Sequence, residues 1–169
     1  RSVVYNGVSE AFHPVSSAQK KGYLLFIGNS MIDYKRYDVA QEVARLTGLE
    51  LKTPHCVTQE ELNTLYNEAF CLLYPSDYEG FGLPVVEALL SRCPVVTSNV
   101  SSLPEAGGPY SLQADPSSVE DIRDKIASVL TDDILCGKMI SGGYEYAMNT
   151  FHPKVCAEKL MAVYEKVIR

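Results

Sequence analysis

Two carboxylates, two glycines and a basic pair stand out as residues whose types and spacing could do chemistry. Glu79 and Glu87 flank the string Gly80-Phe81-Gly82-Leu83-Pro84. Pro84 suits the first turn of a helix, and the apolar Phe70–Tyr74 run before the string reads as a strand. A glycine-rich loop between a strand and a helix leaves backbone N–H groups without internal partners. The helix dipole adds partial positive charge there, so the place suits a phosphate or diphosphate. Gly80 and Gly82 are expected to take positive φ and to let a ligand come close to the backbone. Glu79 lies just before this anion site, and Glu87 is placed in the first helical turn. A carboxylate repels phosphate, so both are assigned to hydroxyl groups. A ligand with phosphates in its middle and hydroxyls at both ends satisfies all three features, as a nucleoside diphosphate sugar does. Taken alone, Glu87 is equally explained by the helix dipole, and Lys35-Arg36 reads as a solvated surface pair.

The elements needed to position these residues alternate between strand and helix. Val3–Tyr5 is β-branched and precedes an Asn-Gly turn, so it reads as a short strand. Tyr23–Ile27 is a continuous apolar run ended by Gly28, the pattern of a buried parallel strand. Residues 37–46 have helical apolar spacing stopped by Gly48, and Leu49–Leu51 reads as a short strand. Thr58 with Glu61 forms a capping-box pattern opening a helix to about Asn67. Further strands are expected at 94–97 and 110–113, separated by a polar loop. Ser117 or Ser118 caps a helix to about Leu130, and two more helices break around Phe151-His152-Pro153. The result is an α/β fold: a Rossmann-like parallel sheet with helices on both faces and additional C-terminal helices. In such sheets ligands sit over the carboxyl ends of strands, which singles out the loops 28–36 and 75–83.

Bulk properties narrow the function. A chain of 169 residues has the size of one domain, here taken as 1–169. A net charge of -6 argues against nucleic acid as a partner. The five cysteines form no C-x-x-C pair and the three histidines no ligand set, so free thiols and no metal site are expected. No apolar run reaches the ~18 residues of a membrane span.

The string from Pro75 to Ala88 resembles the signature of the large retaining glycosyltransferase family called group 1, or family four, in which two glutamates are separated by seven residues, as Glu79 and Glu87 are. Tyr5-Asn6-Gly7-Val8 with Phe12 and Pro14, the run Tyr23–Gly28, Val57–Tyr66 with Ala69, and Cys93–Glu105 with Asp115-Pro116 are similar to other segments of that family, in its order. The resemblance implies one half of a two-domain GT-B architecture: the donor-binding domain, with an N-terminal acceptor domain outside these residues. It implies that Glu79 and Lys35 are catalytic, that Glu79 binds the donor sugar, and that backbone amides of Gly80, Phe81, Gly82 and Leu83 hold sugar and diphosphate. Glu87 is implied to accept from ribose hydroxyls, and Lys35 and Arg36 to neutralise the diphosphate. The family has Arg-Lys where this chain has Tyr34-Lys35-Arg36, so Lys35 matches directly and Arg36 only from the next position. The donor is implied to be a UDP- or GDP-sugar, with no cofactor and no metal, and the acceptor a glycan or a lipid-linked sugar. The implied location is cytoplasmic, peripheral at the inner membrane face in the full-length protein. Between Leu49 and Gln59 the chain lacks about one turn-and-strand unit of the family's pattern, near where the base would be read at 55–57. The residues alone leave open a nucleotide-binding module without turnover, or an epimerase or phosphorylase of the same architecture.

Overall fold

In the computed structural model, which describes residues 2–168, five parallel strands form one sheet in the order β2-β1-β3-β4-β5. The strands are β1 (Tyr23–Leu25), β2 (Glu50–Lys52), β3 (Cys71–Tyr74), β4 (Val95–Ser98) and β5 (Leu112–Ala114). β1 pairs with β3 through Leu24↔Cys71 and Leu25↔Leu72. The pleat sends alternate side chains to opposite faces, and both faces are covered, which is why these strands read as unbroken apolar runs. Tyr23, Leu25, Leu72 and Tyr74 enter one core, whereas Leu24, Phe26, Cys71 and Leu73 enter the other.

The first core is closed by α2 (Gln59–Glu68), α3 (Leu83–Leu90) and the end of α6 (Asp133–Phe151). The second is closed by α1 (Tyr37–Thr47), α5 (Val119–Thr131) and the start of α6. Helix boundaries follow local signals. α1 ends on Gly48 at φ 71°, α2 opens with a complete Thr58–Glu61 capping box, and Ser118 caps α5. His152 in extended conformation separates α6 from α7 (Pro153–Ile168).

Two expectations fail. Val3–Tyr5 is not a strand, because its segment lies on the helical face rather than along an edge of the sheet. It straps the first core: Val8 N–H donates to Phe151 O (3.1 Å), His13 N–H to Asn63 Oδ1 (3.1 Å) and Val15 N–H to Asn67 Oδ1 (2.7 Å). The polar loop after β4 contains a short helix, α4 (Leu103–Gly107), with proline in its first turn. Between β2 and α2 there are only Thr53 to Thr58 and no further strand, in line with the missing unit. All five cysteines are free.

Candidate functional site

The strand order reverses direction at the β1/β3 junction, since β2 follows β1 to one side and β3 to the other. Crevices form at such switch points, outside the carboxyl ends of the strands. The two loops singled out in the sequence, after β1 and after β3, therefore stand side by side.

From the first loop comes Lys35, at the end of a single 3-10 turn (Asp33–Lys35). Its Nζ donates to Glu79 Oε1 at 2.5 Å and to the Tyr74 hydroxyl at 3.2 Å. Only 14% of the Lys35 side chain and 13% of that of Glu79 is accessible, so the pair is largely shielded from water. The rings of Tyr34 and Tyr74 lie 5.4 and 5.3 Å from the ammonium, within cation–π range. Burial and the Glu79 charge push the Tyr74 hydroxyl well above its ordinary pKa, so it is neutral and can accept from Lys35. An ammonium has three donors; Glu79 and Tyr74 occupy two, and the third has no partner among the described residues.

Arg36 turns elsewhere. It sits in the left-handed region at φ 54°, where the 3-10 turn gives way to α1, and its guanidinium meets Asp77 (3.3 Å) and Asp38 (3.5 Å). It lines a neighbouring cleft of about 520 Å³ together with Tyr34, Asp38 and Asp77. The basic pair is thus split: Lys35 joins Glu79 and Arg36 does not.

The second loop is pinned from β4's side of the sheet. Glu79 N–H donates to Ser101 Oγ (3.2 Å), and Ser102 Oγ donates to Glu79 O (3.0 Å). Beyond it, the amides of Gly80, Phe81, Gly82 and Leu83 donate no hydrogen bond among the described residues. They run into α3, whose first residue is Leu83, and form the donor-rich end expected of a helix N-terminus. Positive φ is confined to Gly82, at 102°; a Cβ there would come within 2.8 Å of Leu103 Cδ2. Gly80 has no such backbone constraint, contrary to expectation, and a Cβ on it would meet nothing within 4 Å. Phe81 packs against Tyr5 and Phe151, ring centroids 5.8 and 5.4 Å away, so its side chain anchors the loop and only its amide faces outward chemistry.

Glu87 is not in the first turn of α3. The helix begins at Leu83, which makes Glu87 its fifth residue, beyond the reach of the orphan amides. Its partner is Tyr66 on α2, whose hydroxyl donates to Glu87 Oε2 at 2.9 Å. Burial raises the Glu87 carboxyl above its ordinary pKa, and the Tyr66 hydrogen bond partly opposes this. Tyr66, Tyr74, Ser101 and Ser102 were not found from sequence. Their contacts span 21 to 39 residues and carry no local pattern.

Residues 5–146 match the family model of glycosyl transferases group 1. The chain belongs to that family. Among its curated relatives, O-antigen chain mannosyltransferase B of Escherichia coli is 51% identical over 77 residues, which cover 46% of this chain and 20% of that protein. Two solved structures show the same fold. The C-terminal domain of LpcC from Francisella tularensis, a glycosyl transferase group 1 family protein, superposes with a TM-score of 0.74 at 18% identity, covering 86% of this chain and 98% of that one. Alr3699/HepE of Anabaena, solved in complex with UDP and glucose, gives a TM-score of 0.78 at 15% identity over 98% of this chain and 57% of that one. This group 1 chain spans about a fifth of the curated mannosyltransferase and just over half of the Anabaena protein. Among the described residues of this group 1 chain, no helix is long and apolar enough to cross a membrane.

Proposed function

We propose that these residues form the donor-binding domain of a retaining hexosyltransferase that uses a UDP- or GDP-sugar. The observation that carries this reading is Lys35 Nζ, held 2.5 Å from Glu79 directly before four free amides. One cation and a cluster of oriented N–H groups suit a diphosphate, and a carboxylate beside them suits sugar hydroxyls. The mannosyltransferase relative favours a hexose donor, and a protein sharing the fold that was solved with UDP and glucose favours a nucleotide sugar as the ligand class.

On this reading the diphosphate lies across the amides of Gly80 to Leu83 and takes the third Lys35 donor. Glu79 accepts from the donor sugar's hydroxyls and Glu87 from the ribose. The base rests near His55 to Val57, at the carboxyl end of β2. As the bond from the anomeric carbon to the diphosphate oxygen breaks, negative charge gathers on the leaving group and positive charge on the sugar. Lys35 and the amides stabilise the first, and preorganised electrostatics of this kind commonly contributes more to catalysis than any other effect. The Glu79 carboxylate stabilises the second. The positive charge needed by the diphosphate comes from these groups, so the scheme requires no metal. An acceptor hydroxyl, on a glycan or lipid-linked sugar held by a further domain, attacks the face the diphosphate leaves, and its proton passes to the departing diphosphate oxygen. Any membrane association lies with that further domain.

The test is a titration of the chain with UDP, GDP and ADP in the presence of chelator, read by amide NMR. One nucleotide should bind saturably, shift the Gly80–Leu83 amides, and lose affinity in Lys35→Ala and Glu87→Ala. Binding of none, binding untouched by either substitution, or an absolute need for magnesium overturns the proposal.

A further inference from the structure

The two glutamates of the site are held by different means: Glu79 by a cation, Glu87 by a buried phenol. We propose that Tyr66 is the positioning residue of Glu87, clamping one carboxylate oxygen so that the other is presented to the ribose. The inference rests on the donor-site reading above and extends it to a residue on another helix.

The geometry supports a clamp rather than a casual contact. Tyr66 is fully buried in the first core, and its ring meets Phe12 edge-on at 5.9 Å. It cannot swing without opening that core. A buried tyrosine hydroxyl needs a partner, and the only one it has among the described residues is Glu87 Oε2. Glu87 itself is half-buried, and its Oε1 accepts no hydrogen bond from the described residues. A carboxylate offers about four lone-pair positions over its two oxygens. Tyr66 occupies one, and the unengaged oxygen can receive a hydroxyl. A free glutamate would have several rotamers to lose on binding, whereas this one has its orientation fixed in advance by a ring that cannot move. The donated hydrogen bond also favours the ionised carboxylate, the better acceptor, against the burial that raises its pKa. Tyr74, whose hydroxyl feels the Glu87 charge, and Cys93, which acts on Tyr66, are further titratable groups on that side.

A purely structural role would make Tyr66 important for the core and indifferent to the ligand's ribose. Tyr66→Phe keeps the ring and removes only the hydroxyl. Affinities of wild type and variant would be measured for the nucleoside diphosphate that binds and for its 2′,3′-dideoxy counterpart, with the Glu87 side-chain carboxyl followed by carbon NMR against pH. The variant should lose about tenfold in affinity for the ribonucleotide, the scale of one charge-assisted hydrogen bond. It should leave the dideoxy ligand unchanged, and its Glu87 should titrate higher than in wild type. An unchanged ribose preference overturns the inference, and so does an unmoved Glu87 midpoint. If wild type binds no nucleotide, the donor-site reading falls and the Glu87 midpoint alone decides whether Tyr66 acts on it: a rise upholds the clamp and no change removes it.

Discussion

The Lys35–Glu79 pair makes a quantitative claim that stability measurements can reach without any ligand. Both side chains are about seven-eighths shielded, and the ammonium is tied to a second acceptor, Tyr74. Removing one member of a fully buried pair costs about 3–5 kcal/mol, because the remaining charge is left unpaired. The residual exposure of 14% and 13% lets water reach the site and lowers the expectation for Lys35→Met to about 2–3 kcal/mol. For a chain of 169 residues that corresponds to a fall in Tm of roughly 5–10 °C. Glu79→Gln should cost less, since the lysine keeps the Tyr74 hydroxyl and a neutral amide oxygen. The double variant leaves no buried charge, so it should recover much of the loss, with a coupling of about 1.5–2 kcal/mol in a double-mutant cycle. The assay is urea unfolding at two ionic strengths. The exposed Arg45–Glu42 pair on α1 serves as control, and its coupling should disappear in the higher salt. If Lys35 and Glu79 prove additive, or couple no more than that control pair, the site lacks the shielded ion pair on which its electrostatics depend.

Three further outcomes follow from the same geometry. Glu87→Gln should be more stable than wild type at pH 7. The buried carboxyl titrates above its ordinary 4.5, so the folded state holds the extra proton between that value and the folded midpoint, and wild-type stability falls as pH rises through the window; the advantage should vanish near pH 4, and a difference of equal size at both pH values refutes the argument. Gly82→Ala should lower stability by about 2–3 kcal/mol in a thermal melt, from strain at φ 102° and the approach to Leu103. Gly80→Ala, with open space around its Cβ, should stay within about 0.5 kcal/mol of wild type while weakening nucleotide binding, because the added methyl occupies the face of the proposed diphosphate cradle. Nucleotide affinity equal to wild type would move the cradle elsewhere.

How much of this was readable in the residues depended on the range of the interaction. Gly48, the Thr58–Glu61 box and the apolar run from Tyr23 act over a few positions, and each produced the expected element. The placement of the two loops side by side followed from strand–helix alternation, which dictates a parallel sheet. The Val3–Tyr5 reading failed because β-branched residues also suit a strap, and only the contacts of Tyr5 with Glu105, Phe81 and Phe151 distinguish the two. Gly80 and Gly82 are identical as letters, yet only the second is pressed by Leu103 from α4. Counting from Pro84 put Glu87 too near the helix start, and nothing local announces that a tyrosine 21 residues earlier will hold it. The split of Lys35 from Arg36 is likewise tertiary: neighbouring side chains leave a left-handed backbone in different directions, and Glu79 and Asp77 decide which goes where.

The strap over the first core has a kinetic meaning. Its hydrogen bonds to Asn63 and Asn67 close loops of 50 and 52 residues, and they need α2 already formed, since those two side chains stand one helical turn apart. Contacts that require a prior helix and a long closure form late, and segments held by few bonds open first in native-state exchange. The strap also carries Phe12, the ring that packs against Tyr66. Sub-global opening of this one segment therefore loosens the wall behind the Glu87 clamp while the sheet stays folded, so amide protection of residues 8–15 and the order of the site rise and fall together.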